Sequence, residues 1–146
     1  GRMRGRIYRG KSADGAWHEG YLLRSPGVRE SRPGEGWYIN SADEKPYAHL
    51  VNPETVGIST GQEDSNGVPV FENDIIETEY PENAIFVVRY GEYYEFGYKH
   101  LGFYAEYADG IERPNGFGYI QSGKVVGNLT DTPNMVKLIK GKDDAK

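Results

Sequence analysis

Residues Thr60 to Ile76 read TGQEDSNGVPVFENDII and contain the strongest local structure signals in the chain. The pair Asn66-Gly67 predicts a type I′ hairpin turn, because both residues accept the positive φ that this turn requires. Pro69 has no N–H group, so the strand Val68–Phe71 is expected at a sheet edge or paired through alternate residues only. Asn73 suits a left-handed turn before the next strand. The stretch therefore predicts short strands separated by tight turns.

Composition extends this pattern to the whole chain. The 146 residues include 20 Gly and 8 Pro, and the longest stretch without either runs only from Val70 to Tyr80. Average α-helices are about that long without any interruption, so long helices are not expected. Tyr is the commonest aromatic residue, with 12 copies, and its planar ring with a polar tip suits half-exposed strands. The sequence therefore predicts an all-β fold.

The most apolar predicted strand is Ala84–Tyr90 (AIFVVRY), which we expect at the centre of the core. Its partner is expected to be Tyr93–Lys99, across a turn at Gly91-Glu92. Further strands are predicted at Met3–Tyr8, Trp17–Leu23, Trp37–Asn40, Tyr47–Val51, Phe103–Tyr107, Gly118–Gln121 and Lys124–Val126. This spacing predicts a mainly antiparallel meander with an N-terminal sheet lobe and a small SH3-like or barrel-like C-terminal lobe.

The chain is expected to form one domain over residues 1–146. This domain is expected to have two lobes, at 1–57 and 58–140, and a disordered tail at 141–146. Asn52-Pro53-Glu54 is predicted to end a strand near the lobe boundary. Asp131-Thr132-Pro133 offers an N-cap and a first-turn proline. These residues predict one short helical turn over Asn134–Ile139.

The cellular location is constrained by what the sequence lacks. There is no cysteine, which excludes disulfides and thiolate metal sites. The longest apolar run, Ala84–Val88, is far too short for a membrane-spanning helix. The arginine-rich start lacks the apolar stretch of a signal peptide. We therefore expect a cytoplasmic protein that does not associate with a membrane.

The net charge of −5 is unevenly distributed. Residues 1–40 carry +4, residues 41–113 carry −11 and residues 114–146 carry +2. An acidic middle between basic ends favours contact between these regions, within one chain or between copies. The same acidic middle disfavours a broad phosphate-binding face on that segment.

Five motifs occur in an order that is typical of one protein family. They are RIYRG at 6–10, GAWHEGYL at 15–22, NPETVG at 52–57, the block at 60–76, and VGNL at 126–129 with Pro133 behind it. With these motifs the chain resembles the YopX family of small proteins encoded by bacteriophages and prophages. It departs from the family pattern at Gln62 and Asn73, where an apolar residue and Gly are usual. The resemblance implies an all-β fold in a phage-derived protein of a bacterial host, and it supplies no catalytic residues because the family has no established activity.

Candidate binding residues fall into two groups. An aromatic group can stack bases or sugars, or form a protein interface; its members are Tyr93, Tyr94, Tyr98, Tyr104 and Tyr107. Acidic residues interleaved with these tyrosines repel phosphate, which favours the protein interface. A basic N-terminal group can bind nucleic acid or protect a sheet edge from strand addition; its members are Arg4, Arg6 and Arg9.

A further set of residues is expected to hold the turns between strands: Gly61, Asp64, Asn66, Gly67, Glu72, Asn73, Asp74, Gly127 and Asn128. Asp64 is expected to cap an Asx-type turn, because the later ligands of a calcium loop are missing. Glu72 and Asp74 are interpreted as backbone caps. The three histidines, at positions 18, 49 and 100, lack the short spacings of a metal site, and His18 is expected to face solvent.

These observations predict a non-catalytic protein, without a cofactor or metal, that acts by protein–protein binding through its tyrosine-rich surface. We expect a homo-oligomer, with an unidentified host or phage protein as the other kind of partner. Two alternatives remain open at this point. One is a nucleic-acid-binding β-barrel module that uses the N-terminal arginines. The other is a hydrolase-type enzyme that uses Glu72 and Asp74.

Overall fold

The computed structural model describes residues 6–27, 34–41, 48–79, 83–108 and 121–136. This part of the chain contains nine β-strands: β1 Tyr8–Lys11, β2 Trp17–Ser25, β3 Gly36–Asn40, β4 Ala48–Glu63, β5 Pro69–Phe71, β6 Asp74–Thr78, β7 Ala84–Glu95, β8 Tyr98–Tyr107 and β9 Lys124–Asn128. Their registers are antiparallel. The all-β class predicted from the sequence is therefore confirmed.

The strands form two sheets. The first has the order β1-β2-β3-β4-β5 and the second has the order β8-β7-β6-β9. The chain divides into two compact units, Gly1–Ser59 and Thr60–Lys146. Strand β4 runs across the boundary between these units, because it ends at Glu63.

A small closed barrel forms in the first unit. Strand β1 pairs with both β2 and β4, which completes a ring of four strands. The sequence predicts a small barrel but assigns it to the C-terminal lobe, whereas this ring lies in the N-terminal unit. Strands approach closely inside so small a ring: a Cβ atom on Gly20 would lie 2.0 Å from the backbone oxygen of Asn40. Glycine is therefore required at position 20.

The predicted strand end at Asn52-Pro53-Glu54 is wrong, because β4 continues through these residues. The pairing with β1 shifts at this point, so that Arg9 faces Gly57 but Lys11 faces Asn52. The extra residues form a bulge that keeps the proline, which has no N–H, out of the hydrogen-bond ladder. Thr55 closes the bulge: its hydroxyl accepts the Lys11 N–H at 2.8 Å and donates to the Asn52 carbonyl at 2.6 Å.

The central part of the second sheet is buried on both of its faces. Ile76 of β6 packs with the fully buried residues Val70, Phe86, Val88 and Ala105. Its neighbour Ile75 points to the other face and packs with Val87, Ala108 and Val136. A strand that contributes to two cores has no solvent side, which explains the uninterrupted apolar run at the start of β7.

Asp64 organises the hairpin between β4 and β5. Its carboxylate accepts the N–H groups of Asn66, Val68 and Val125, each at 2.8 Å. The predicted hairpin is present, but its turn is not type I′: Gly67 has φ +80°, whereas Asn66 does not have a positive φ. The Asp64 side chain holds the Asn66 N–H, and this selects a type I turn followed by a left-handed glycine.

The turn predicted at Gly91-Glu92 is also wrong. Strand β7 continues to Glu95, and the chain reverses at Phe96-Gly97, whose φ values of 55° and 80° fit a type I′ turn. Gly91 lies directly opposite Gly102, and their φ values are 155° and 157°. These glycines therefore give the paired strands an unusual local conformation and do not reverse the chain.

Several predictions fall partly outside the described residues. Asn134–Val136 is helical, as expected, and the other residues of the predicted helical turn, 137–139, lie outside the described residues. The strand predicted at Gly118–Gln121 is wrong at Gln121, which is helical. Its other residues, 118–120, lie outside the described residues. The tail at 141–146 and residues 3–5 of the first predicted strand also lie outside, and β1 begins only at Tyr8.

Substitution Gly20→Ala is expected to destabilise the fold by about 3 kcal/mol or more, because the new methyl group overlaps a backbone oxygen that cannot move away cheaply. Urea denaturation followed by circular dichroism measures this loss. Gly34→Ala is the matched control, since a Cβ atom there meets open space. Equal stability of the two variants would contradict the close approach inside the barrel.

Substitution Asp64→Asn is expected to cost about 2–3 kcal/mol, because an amide NH₂ replaces one acceptor and leaves a buried N–H unpaired. Burial raises the pKa of Asp64, but the three N–H donors more than reverse this effect, so the pKa lies below its ordinary 3.8. The stabilisation is therefore complete above that value and is lost as the pH falls through the folded-state pKa.

Urea midpoints measured from pH 2 to pH 7 test both parts of this expectation. The native chain should lose stability in acid more steeply than Asp64→Asn does. Glu63→Gln, at the exposed neighbouring position, serves as the control and should follow the native curve. A pH dependence that is identical in all three proteins would refute the role of Asp64.

Candidate protein-interaction surface

The β7–β8 hairpin extends beyond the rest of its sheet. Pairing of β7 with β6 covers only Ala84 to Val87, whereas pairing with β8 continues to Glu95 and Tyr98. Residues 90–103 therefore form a two-stranded ribbon that pairs with no other described strand, and we call this ribbon the arm. A two-stranded ribbon gains little stability by itself, so packing of its side chains must hold it.

One face of the arm is exposed and largely apolar. Side chains alternate along a strand and cross-strand partners share a face. The register therefore defines a Tyr94 face, made of Tyr90, Glu92, Tyr94, Lys99, Leu101 and Phe103. Tyr94 is 64% exposed and Leu101 is 72% exposed. Glu92 and Lys99 form an ion pair at 3.2 Å, so the face carries one charge of each sign.

The opposite face of the arm holds a stack of aromatic rings. The Tyr93 ring stacks on His100, with centroids 5.2 Å apart, and on Tyr104, with centroids 5.1 Å apart. Gly91 and Gly102 share this face and have no side chains to separate the rings, so Tyr93 and Tyr104 meet above them. Packing of aromatic rings over glycine compensates for the missing side chain in a sheet. This face therefore stiffens the arm.

Phe96 lies at the tip of the arm in an unfavourable conformation. Its φ of 55° is an outlier for a bulky residue and costs roughly 1–2 kcal/mol. Its side chain is 87% exposed. Core packing therefore does not explain a phenylalanine here, and neither does backbone preference. Strained residues and exposed apolar side chains both concentrate at binding sites.

Arg89 fixes the base of the arm. Its guanidinium donates to the Glu106 carboxylate at 2.9 Å and to the side-chain oxygen of Asn73 at 3.3 Å. Asn73 has the expected left-handed conformation, with φ 75°, and its N–H donates to the Val88 carbonyl at 2.8 Å. The turn between β5 and β6 thus holds both backbone and side chain of β7 just before the arm begins.

The five tyrosines predicted as binding residues occupy different environments. Tyr94 and Tyr98 are exposed on opposite faces of the arm, Tyr98 to 73%. Tyr93 and Tyr104 are half-buried in the ring stack. Tyr107 packs on Phe86, with ring centroids 4.4 Å apart, and belongs to the core. Its assignment to the binding surface is therefore corrected, because β8 passes over the buried core at this position.

The basic N-terminal residues lie in the first unit, and Arg4 is outside the described residues. Arg6 is exposed. Arg9 lies over the Trp17 ring at 5.0 Å from its centroid, and Lys11 lies over the same ring at 5.8 Å. These cation–π contacts connect β1 to β2 and give Arg9 and Lys11 a structural role in the first unit.

Glu72 and Asp74 lie at the turn between β5 and β6. Asp74 is only 1% exposed and accepts the Phe71 N–H at 2.8 Å, so it caps the backbone. Glu72 is half-buried. The buried Asp74 carboxylate is closed to a substrate in solution, which counts against its use in a hydrolase-type acid pair.

The remaining predicted turn residues hold the backbone at two places. Gly61, in β4, has φ +76°. A Cβ atom on Gly127 would lie 2.1 Å from the Thr132 hydroxyl oxygen. The side-chain oxygen of Asn128 accepts the N–H groups of Thr130 and Asp131 at 3.0 and 2.8 Å. Asn128 therefore caps the turn that follows β9.

His18 does not face solvent, so that prediction is wrong. It is 9% exposed, and its ring stacks on His49 with centroids 3.9 Å apart and planes 10° apart. Alternation along β2 turns His18 inward, while its neighbour Glu19 is exposed. The sequence separation of the two histidines conceals this contact, because β2 and β4 come together only when the barrel closes.

Ser12 lies beside the stacked histidines. Its Oγ atom is 3.0 Å from Nε2 of His18, which resembles the spacing of a nucleophile and its base. The same hydroxyl also contacts the Asp14 carboxylate and the Ala16 carbonyl, so it closes the β1–β2 turn. Its hydrogen bond is the main cause of the lowered pKa of Asp14. We interpret Ser12 as a structural residue of this turn.

No group of three or more His, Cys, Asp or Glu in the described residues is placed to hold a metal ion. No helix in the described ranges is long and apolar enough to cross a membrane.

Phe96 and Leu101 are missing from the predicted site because the sequence interpretation places the turn too early. Type I′ turns favour Asn or Gly in their first position, so a phenylalanine conceals the turn. A usable signal exists: Gly91 and Gly102 are equally distant from the Phe96-Gly97 pair. This symmetry is typical of a long hairpin with two facing glycines.

Substitution Phe96→Asn is expected to stabilise the separate chain by about 1 kcal/mol, because asparagine tolerates the left-handed conformation that the turn imposes. Thermal and urea unfolding at low protein concentration measure this gain. Tyr98→Asn removes a similarly exposed ring from a residue that does not have a positive φ, and it should give no gain. A Phe96→Asn variant that is less stable than the native chain would argue against backbone strain at the tip.

Comparison with protein-family models gives a match to the YopX protein family over residues 9–137. This range includes the block at 60–76 and the whole arm. A search of curated proteins finds no match to the chain. Because the family model covers most of the chain, the protein belongs to the YopX family, as its motifs suggest.

Proposed function

We propose that this YopX family protein acts by protein–protein binding through the arm and that it assembles with copies of itself. The observation that carries the proposal is at the tip, where Phe96 combines a positive φ with 87% exposure. A protein that acts alone gains nothing from a strained residue that also exposes a large apolar side chain. A partner that buries the ring would offset both costs.

The surroundings of Phe96 support this proposal. Exposed apolar side chains continue from the tip along the Tyr94 face, so the surface is a patch rather than a single residue. Aromatic residues are enriched at the centre of protein interfaces. The ring stack on the opposite face and the Arg89 contacts hold the arm, which reduces the ordering cost of binding.

Charge supports association between copies. The first 40 residues carry +4 and residues 41–113 carry −11. Basic regions of one copy therefore attract the acidic middle of another, and this attraction should weaken as salt is added. Single-stranded nucleic acid fits the arm less well, because Glu92 and Glu95 lie beside the aromatic rings and repel phosphate.

The biological setting is also part of the proposal. We infer a non-catalytic accessory protein, encoded by a phage or prophage and acting in the cytoplasm of the bacterial host. Membership of the YopX family supports this setting. The absence of cysteine is compatible with a reducing compartment.

Sedimentation velocity tests the assembly at protein concentrations from about 1 to 100 µM, the range expected for a small interface. The native chain should sediment as an oligomer at low salt. A triple variant with Tyr94→Ser, Phe96→Asn and Leu101→Ser should shift to a monomer. Tyr21→Ser, at a position on β2 that is 54% exposed, is the control and should leave the oligomer intact. A native chain that stays monomeric throughout this range would contradict the assembly.

A further inference from the structure

We propose that two copies of this chain pair through the Tyr94 face of the arm and form a closed dimer with two-fold symmetry. This inference rests on the proposed function and specifies the contact surface, the partner and the symmetry. The opposite face, with its ring stack, then remains outside the contact. Three features of the arm support this choice.

The first feature is the different state of the two faces. On the opposite face, Tyr93 lies between His100 and Tyr104, so much of its aromatic surface is already in contact within the arm. On the Tyr94 face, Tyr94 and Leu101 keep most of their surface exposed. The opposite face exposes Tyr98 as well, but the Tyr94 face exposes more large apolar side chains and therefore gains more when a second surface covers it.

The second feature is the area that a second copy would cover. On the Tyr94 face, Tyr90, Tyr94 and Leu101 are 40%, 64% and 72% exposed, and Phe96 at the tip of the arm is 87% exposed. Together they offer about 500 Å² of surface per copy, if an aromatic side chain has on the order of 200 Å². Two such patches that cover each other bury about 1,000 Å², which is close to the lower limit for a specific interface. The dimer is therefore expected to be reversible, with a Kd in the micromolar range.

The third feature is charge. The Tyr94 face carries one carboxylate, Glu92, and one ammonium group, Lys99. A face with one charge of each sign can meet a copy of itself with opposite charges adjacent. It has no net charge that would select a strongly acidic or strongly basic partner. The charges of the Tyr94 face are therefore more complementary to a second copy of the same face than to a partner with a large net charge of one sign.

Two-fold symmetry follows from the limited patch. When the same face is used by both copies, the contact closes on itself and leaves none of this patch exposed to recruit a third copy. A head-to-tail contact would instead form a ring where its rotation closes and an open chain where it does not, and it would need a second surface complementary to the arm. The closed dimer is the arrangement in which the exposed patch does not become an aggregation site.

The test uses charge variants that separate self-pairing from other binding. Glu92→Lys gives the face two positive charges, and Lys99→Glu gives it two negative charges. Each variant alone should dimerise at least about tenfold more weakly than the native chain, whereas an equimolar mixture should form heterodimers of near-native affinity. Sedimentation equilibrium measures the three constants, and native mass spectrometry of an isotope-labelled partner identifies the heterodimer.

Tyr98→Ser is the matched control, because it removes an equally exposed tyrosine from the opposite face, and it should leave the dimer unchanged. Loss of the dimer in Tyr98→Ser, or no rescue in the mixture, would overturn the choice of the Tyr94 face. The proposed function would still stand in that case if the native chain forms an oligomer. A native species larger than a dimer would overturn the closed symmetry. A native chain that is monomeric would overturn both proposals together.

Discussion

The turn at Asn73 is the constraint on which the second sheet and its arm depend. Its left-handed backbone directs its N–H to the Val88 carbonyl at 2.8 Å, and its own carbonyl accepts the Leu129 N–H at 3.0 Å. One residue thus joins the β5–β6 turn to β7 and to the segment after β9. Its side chain accepts a hydrogen bond from Arg89 as well. The base of the arm is therefore held by backbone hydrogen bonds as well as by a side-chain contact.

Because its base is fixed, the arm can hold its exposed aromatic rings in a defined position. A long ribbon without a third strand would normally be mobile, and exposed aromatic rings on it would be an aggregation risk. Here the Tyr93 ring stack covers much of one face, on which Tyr98 stays exposed, while Tyr94 and Leu101 are exposed on the other face. The face with the ring stack therefore stiffens the arm, and we assign partner binding to the Tyr94 face. Phe96, strained and exposed at the tip, is the residue whose conformation is hardest to explain without a binding partner.

Sequence reasoning reached the fold class and the left-handed Asn73, because frequent Gly and Pro and a single turn residue are local properties. It failed where tertiary contacts override local preference. A bulge accommodates Pro53 inside β4, and the φ of 55° at Phe96 is held by the long pairing of β7 with β8. The inward position of His18 depends on barrel closure, which brings distant strands together. The position of the tyrosine-rich region could be predicted from the sequence. The residues on its exposed face could be identified only from the pairing register of β7 and β8.

Hydroxyl-radical footprinting across a concentration series can show whether the arm is the contact surface, because it reports the solvent exposure of individual side chains in the native chain. We expect Tyr94, Phe96 and Leu101 to become protected as the protein associates, while Tyr21 and Tyr98 keep the reactivity that they have in dilute solution. Unchanged reactivity of the arm in an associated sample, or protection centred on another surface, would contradict this expectation.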